Sequence, residues 1–196
     1  MINFILRAKH WQIFLVMFAP AMMLQIYTII TLITNITSHA LPLQEVMLEY
    51  AHYIIIAGLF ATCGSVLWMW SVGIGLQRHL PDGLTLPTGI FKLSLLFPVC
   101  YMAGAFGFVH HIITDGTPNF LVFIIIFPLH ILSMGCQLYS IYVVARTLKT
   151  VELQKKVMPG EYILEFFLVW FALVGIWILQ PKINKIVEQS QLPGSA

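Results

Sequence analysis

Charge is scarce in this chain. Charged side chains make up 9% of its 196 residues, against roughly 25% in soluble domains, so a water-soluble fold of this length would have no polar surface to wear. The formal net charge of +2 is too small, and the ten Lys and Arg too dispersed between apolar runs, to make a nucleic-acid-binding face. Cysteine is nearly missing too. Cys63, Cys100 and Cys136 all lie inside apolar runs with no CxxC spacing, which indicates neither a disulfide framework nor a thiolate metal site. There is no Walker A sequence, no GxSxG elbow, no GxGxxG after a strand, no HExxH and no intramembrane Asp pair. Nothing therefore points to hydrolytic or nucleotide chemistry.

What the chain has in quantity is apolar length. Hydrophobic residues make up 59% of it and the mean hydropathy is +0.89. Five apolar runs stand out, at residues 11–35, 50–76, 90–113, 120–145 and 162–179, each long enough to approach the ~20 residues that a helix needs to cross a bilayer. Only helices satisfy every backbone donor and acceptor of an open chain in lipid. The fold class expected is thus all-α, a transmembrane bundle of four or five spans forming a single domain over residues 1–196. Pro20, Pro98 and Pro128 are compatible with kinked membrane helices. Arg7 and Lys9 followed by Ala19-Pro20-Ala21 resemble a secretory signal, but the apolar run continues to Ile33 and reads as an uncleaved first span.

Orientation follows from cations. Arg7 and Lys9 precede the first span, Arg78 and Lys92 lie in the second loop, and Arg146, Lys149, Lys155 and Lys156 in the fourth, while the first and third loops have none. This pattern puts the N-terminus in the cytoplasm. The fifth run is the exception. Its apolar length favours a full span, yet a span would carry Lys182 and Lys185 outside, and Glu165 sits near its start; the alternative is a re-entrant or interfacial hairpin. Residues 146–160 form a cytoplasmic amphipathic segment, with Glu152 four residues before Lys156 as a helix-supporting pair. It is either a solvated extension of the fourth helix or a surface for partner docking through Arg146, Lys149, Glu152, Lys155 and Lys156.

Three polar constellations are candidate sites. His130, Ser133, Gln137 and Ser140 share one face of the fourth helix, and His130 falls near the bilayer midplane at a depth that Gln25 can also reach. An intramembrane ionisable residue is a functional candidate by default, against the plainer reading that the imidazole bonds Gln25, Ser133 or a carbonyl freed by Pro128. Next, His52, His110 and His111, with His39, belong to the non-cytoplasmic end. Such imidazoles suit a b-type haem or, with Glu49 or Asp115, a divalent metal, or they simply meet water and headgroups. Small residues form the third constellation. Cys100, Gly104, Gly107 and His111 on the third helix, and Ala57, Ala61, Gly64 and Ser65 on the second, line faces that allow close helix packing within the bundle or a homodimer seam.

Glu161-Tyr162-Ile163-Leu164-Glu165-Phe166-Phe167 and Gly175-Ile176-Trp177-Ile178-Leu179-Gln180-Pro181-Lys182-Ile183-Asn184 resemble a segment of small uncharacterised bacterial multi-pass inner-membrane proteins. The resemblance implies a bacterial inner-membrane setting and no activity. It makes the segment around Glu161, Glu165 and Gln180 to Asn184 a further place to look for function. The sequence-based expectation is a non-enzymatic accessory subunit or a small transporter-like bundle, with lipid, other membrane subunits or a second copy as partners. The alternatives are a redox protein holding haem b between two histidines, and a lipid-acting enzyme using His130 with Glu49 or Glu165.

Overall fold

The computed structural model describes residues 2–38, 43–81, 83–115 and 120–189. All regular structure there is helical: α1 (Ile2–Arg7), α2 (His10–Ser38), α3 (Leu43–Gly75), a 3-10 turn (Leu76–His79), α4 (Thr88–Asp115), α5 (Phe120–Leu153), α6 (Pro159–Trp170) and α7 (Ala172–Gln189). Four stretches are long and apolar enough to cross a membrane, His10–Ser38, Tyr50–His79, Thr88–Ile112 and Val122–Leu153. The protein is accordingly a multi-pass membrane protein with an all-α bundle fold. α2 packs along α3, α4 along α5, and α3 joins the two pairs.

The four spans alternate in direction, so the start of α2, the end of α3, the start of α4 and the end of α5 share one end of the bundle. The main apolar core gathers at that end. Met17 of α2, Trp68, Met69 and Val72 after the middle of α3, Leu76 of the 3-10 turn, Phe91 and Leu95 of α4, and Val144 and Leu148 of α5 are all buried. α2 and α3 meet closely at Gly64, where a Cβ would lie 3.1 Å from the Met17 backbone. The threonines of the outer half of α2 carry their own partners: the hydroxyls of Thr28, Thr31, Thr34 and Thr37 donate to the carbonyls four residues earlier, which satisfies them without needing another helix.

The fifth apolar run is not one helix, correcting the full span favoured by its length. Phe171 leaves the helical region at φ −90°, ψ 56°, and the Lys182 ammonium meets the Glu165 carboxylate at 2.9 Å. In an unbroken helix those residues would be about 25 Å apart at ~1.5 Å per residue, so α6 and α7 close into a V. Gly175 permits it, because a Cβ there would overlap the Leu168 carbonyl. Neither arm, at about 18 Å and 27 Å by the same rise, reaches across the ~30 Å hydrocarbon core.

The V is amphipathic. Tyr162, Glu165 and Val169 of α6 and Ile176, Leu179, Gln180, Ile183 and Val187 of α7 are buried, while Leu164, Phe167, Trp170, Phe171, Val174 and Ile178 around its tip are exposed. Trp177 stacks beside His10 and Phe14 at the first turns of α2. The tip, six residues earlier, lies about 9 Å deeper. The hairpin therefore enters and leaves at the packed end, and with it Lys182 and Lys185 join the other eight cations there. All ten Lys and Arg of the chain thus gather at one end of the bundle.

Candidate functional site

Two kinds of polar site emerge, one closed and one open. The closed one lies at the packed end. α5 runs without a break to Leu153, so residues 146–153 continue the fourth helix, and Thr147, Leu148, Thr150 and Val151 on their inner face are buried. Lys149 contacts Glu152 at 3.0 Å and Glu165 at 3.1 Å, and Lys182 contacts Glu152 at 2.7 Å and Glu165 at 2.9 Å. These four groups make a ring of alternating charge with no net charge. The Glu165 side chain is only 2% exposed, and its Oε2 has no hydrogen-bond partner. Burial pushes the Glu165 carboxyl up, but the hydrogen bonds from Lys182 and Lys149 outweigh it and hold the group below the usual carboxylate range.

The rest of the docking set is also largely engaged. Arg146 donates to the Tyr142 hydroxyl at 2.9 Å, and Lys155 meets Glu161 at 2.6 Å. Glu161 is held below its ordinary value by Lys155 and then by the Met158 N–H, which it accepts at 2.7 Å to start α6. Of the five residues proposed for docking, Lys156 alone has no ionic or hydrogen-bond partner among the described residues. The sequence marks Gln180 to Asn184 as a place to look but does not join Lys182 to Glu152 and Glu165, since no helical spacing links it to Lys149; only the fold-back at Phe171 does.

Nor does the sequence show a second closed feature. Gln180 is fully buried and accepts from the Trp68 indole N–H at 2.9 Å. Its Nε2 lies 3.0 Å from the carbonyls of Ile5 and Ala8, and the Asn184 amide donates to Ala8 as well, at 3.2 Å. α7 thereby supplies the partners that the last carbonyls of α1 lack within their own helix.

The open site lies in the membrane half. The polar stripe of α5 divides. Ser133 and Gln137 line a cavity of about 320 Å³ with Thr62 and Ser65 of α3 and Pro98 of α4. Ser140, one turn nearer the packed end, is buried, with the Ser94 hydroxyl at 3.1 Å and the Cys136 carbonyl at 2.9 Å as alternative acceptors for its single O–H. His130 instead turns outward. Its Nδ1 shares a hydrogen bond with the Tyr101 hydroxyl at 3.0 Å, the two forming part of a shallow concavity with Phe123, Ile124 and Phe127. The other ring nitrogen has no partner among the described residues. Gln25 is exposed on α2, which packs on α3 and α7, so the pairing of Gln25 with His130 is not formed. The Cys100, Gly104, Gly107 and His111 face of α4 is exposed as well, and a Cβ at either glycine would meet nothing within 4 Å.

The histidines of the far end do come together in part. The rings of His52 and His110 meet edge to face, with centroids 5.0 Å apart, and His111 is exposed nearby on α4. Two axial imidazoles must lie on opposite faces of one porphyrin plane; rings already in contact leave no plane between them, so the pair as placed does not fit a haem. Among the described residues no three His, Cys, Asp or Glu side chains converge as metal ligands. His39 and the side chains of Glu49 and Asp115 lie outside the described residues. His130 and Glu165 do not share a site either, since His130 is 19 residues from Lys149, about 28 Å along α5. Comparison with protein-family models, with curated proteins and with solved structures gave no match to this chain.

Proposed function

We propose that this chain is a non-enzymatic membrane subunit whose α4–α5 face is covered by a transmembrane helix of another chain. The observation that carries the reading is His130, exposed about 15 Å along α5 from its start with a ring nitrogen unpartnered among the described residues. Polar groups at that depth face protein or a water-filled cavity rather than lipid. The surrounding surface agrees. In the most apolar stretch of Val122–Leu153 only 6% of the residues are buried, against 17%, 22% and 17% in those of the other three spans. The open glycine face of α4 offers close approach beside it.

In this reading the packed end is cytoplasmic, because all ten cations gather there, and both described termini lie on that side. The membrane is the bacterial inner membrane that the α6–α7 resemblance implies. A transporter-like role finds its support in the polar cavity around Ser133 and Gln137, but Gln25 and His130 open onto other surfaces.

Photo-crosslinking in native membranes tests the assignment. A photoreactive side chain at Phe127 should give a discrete protein adduct that disappears with His130→Leu, while one at Met23, equally exposed on α2 (70%), should give lipid adducts only. Lipid adducts alone from both positions would refute it.

A further inference from the structure

The elbow between α1 and α2 holds a second unassigned site. α1 lies across the end of α3 and α2 descends beside α3, leaving an apolar groove of about 370 Å³ between them, within the range of small-molecule sites. Ala8, Ile13, Met17 and Trp68 form its buried parts, and Phe4 and Trp11 stand at its sides. Arg7 and Lys9, the chain neighbours of the lining residue Ala8, are exposed and have no side-chain partner among the described residues. Lysine and arginine at a helix end commonly turn to its last carbonyls, but here Gln180 and Asn184 occupy those of Ile5 and Ala8. The Gln12 side chain, also lining the groove, uses Oε1 to accept the Lys9 backbone N–H at 2.9 Å, which leaves its Nε2 as a donor.

We infer that the groove holds one acyl chain of an anionic phospholipid, with the lipid phosphate against Arg7, Lys9 and the Gln12 amide. The apolar lining selects a hydrocarbon tail, and two uncompensated cations at the bilayer surface select a negative headgroup. The site is separate from the α4–α5 face, so the two assignments stand or fall independently.

Native mass spectrometry of the detergent-purified chain, offered equal amounts of phosphatidylglycerol and phosphatidylcholine, reads the inference directly. One phosphatidylglycerol should be retained in preference. With about fivefold per surface cation, the double variant Arg7→Gln, Lys9→Gln should lower that retention about 25-fold, towards the phosphatidylcholine level. Filling the groove with Leu67→Trp should remove both lipids with the unfolding temperature unchanged, and glycerol phosphate should not compete. Equal retention of the two lipids, indifference to Arg7 and Lys9, or displacement by glycerol phosphate alone would each overturn the inference, the last by showing that a soluble phosphate suffices.

Discussion

The two halves of this bundle solve the same problem differently. At the basic end several polar groups that leave water are answered by groups far away in sequence, with Gln77 Nε2, Thr147 Oγ1 and Glu165 Oε2 left over among the described residues: Gln180 meets Trp68, Ile5 and Ala8, and Lys182 meets Glu152 and Glu165. In the other half the polar contacts are fewer and mostly stay within one helix, the Tyr101–His130 bond between α4 and α5 being an exception. The threonines of α2 bond their own helix, His130 bonds only Tyr101, and Gln25 faces outward without a partner among the described residues. Side chains follow the same division, with the apolar core gathered at the basic end. Long-range polar contacts hold the chain's first and last helices together there. The open half leaves its surface for something else.

Breaking the Gln180 clamp should have the largest effect. Gln180→Leu strands the Trp68 indole N–H in a dry site and takes one of two partners from each of the Ile5 and Ala8 carbonyls, which keep the Ala8 N–H and the Asn184 amide. An orphaned buried group costs about 1–3 kcal/mol and each lost hydrogen bond about 0.5–1.5 kcal/mol, so a loss of about 3 kcal/mol is expected in denaturant unfolding of the detergent-solubilised protein. α1 should come loose before the spans do, seen as faster tryptic cleavage after Arg7 and Lys9. A loss under about 1 kcal/mol would mean that apolar packing alone closes this end.

The charge ring comes next. Glu165→Gln leaves Lys149 and Lys182 sharing Glu152. Removing one partner of a fully buried pair costs about 3–5 kcal/mol, but Lys149 and Lys182 are 19% and 30% exposed and keep one carboxylate, so about 2 kcal/mol is the expected loss near neutral pH. The native carboxyl titrates below its ordinary value of 4.5. Its stabilising share is therefore complete above about pH 4.5 and fades as pH falls through the lower folded-state value. The gap in unfolding temperature between wild type and variant should close in the same direction. Glu161 is also held low but is present in both proteins and cancels. A gap independent of pH would show that Glu165 is held by shape rather than by charge.

The sequence carried the open half better than the closed one. Length and apolar composition place four spans, and the charge asymmetry groups the loops, because each is set by the bilayer rather than by neighbouring helices. The helical spacing of His130, Ser133 and Gln137 was equally legible, yet not that the stripe would divide, since 80° of arc is wide enough for Ser133 to face α3 while His130 faces out. The hairpin was half legible. Lys182 and Lys185 argued against a span, but the break at Phe171 depends on Gly175 meeting Leu168 and on ion pairs across 17 residues, which no local pattern encodes. For the same reason nothing in the sequence paired Gln180 with α1.

The smallest effect on stability should come from the residue that looked most functional. His130→Leu removes one hydrogen bond at an exposed position and adds apolar surface in the membrane, so it should change stability by less than about 1 kcal/mol. A double-mutant cycle with Tyr101→Phe isolates the contact, and a coupling of about 0.5 kcal/mol, the average for polar pairs inside membranes, is expected. A coupling above about 2 kcal/mol would make His130 a strut between α4 and α5. The open half would then be held together by long-range polar pairs like the closed one, and the reason to look for a covering helix would be gone. A negligible coupling, by contrast, would leave an imidazole in mid-membrane with no structural task, which sharpens the case that its partner belongs to another chain.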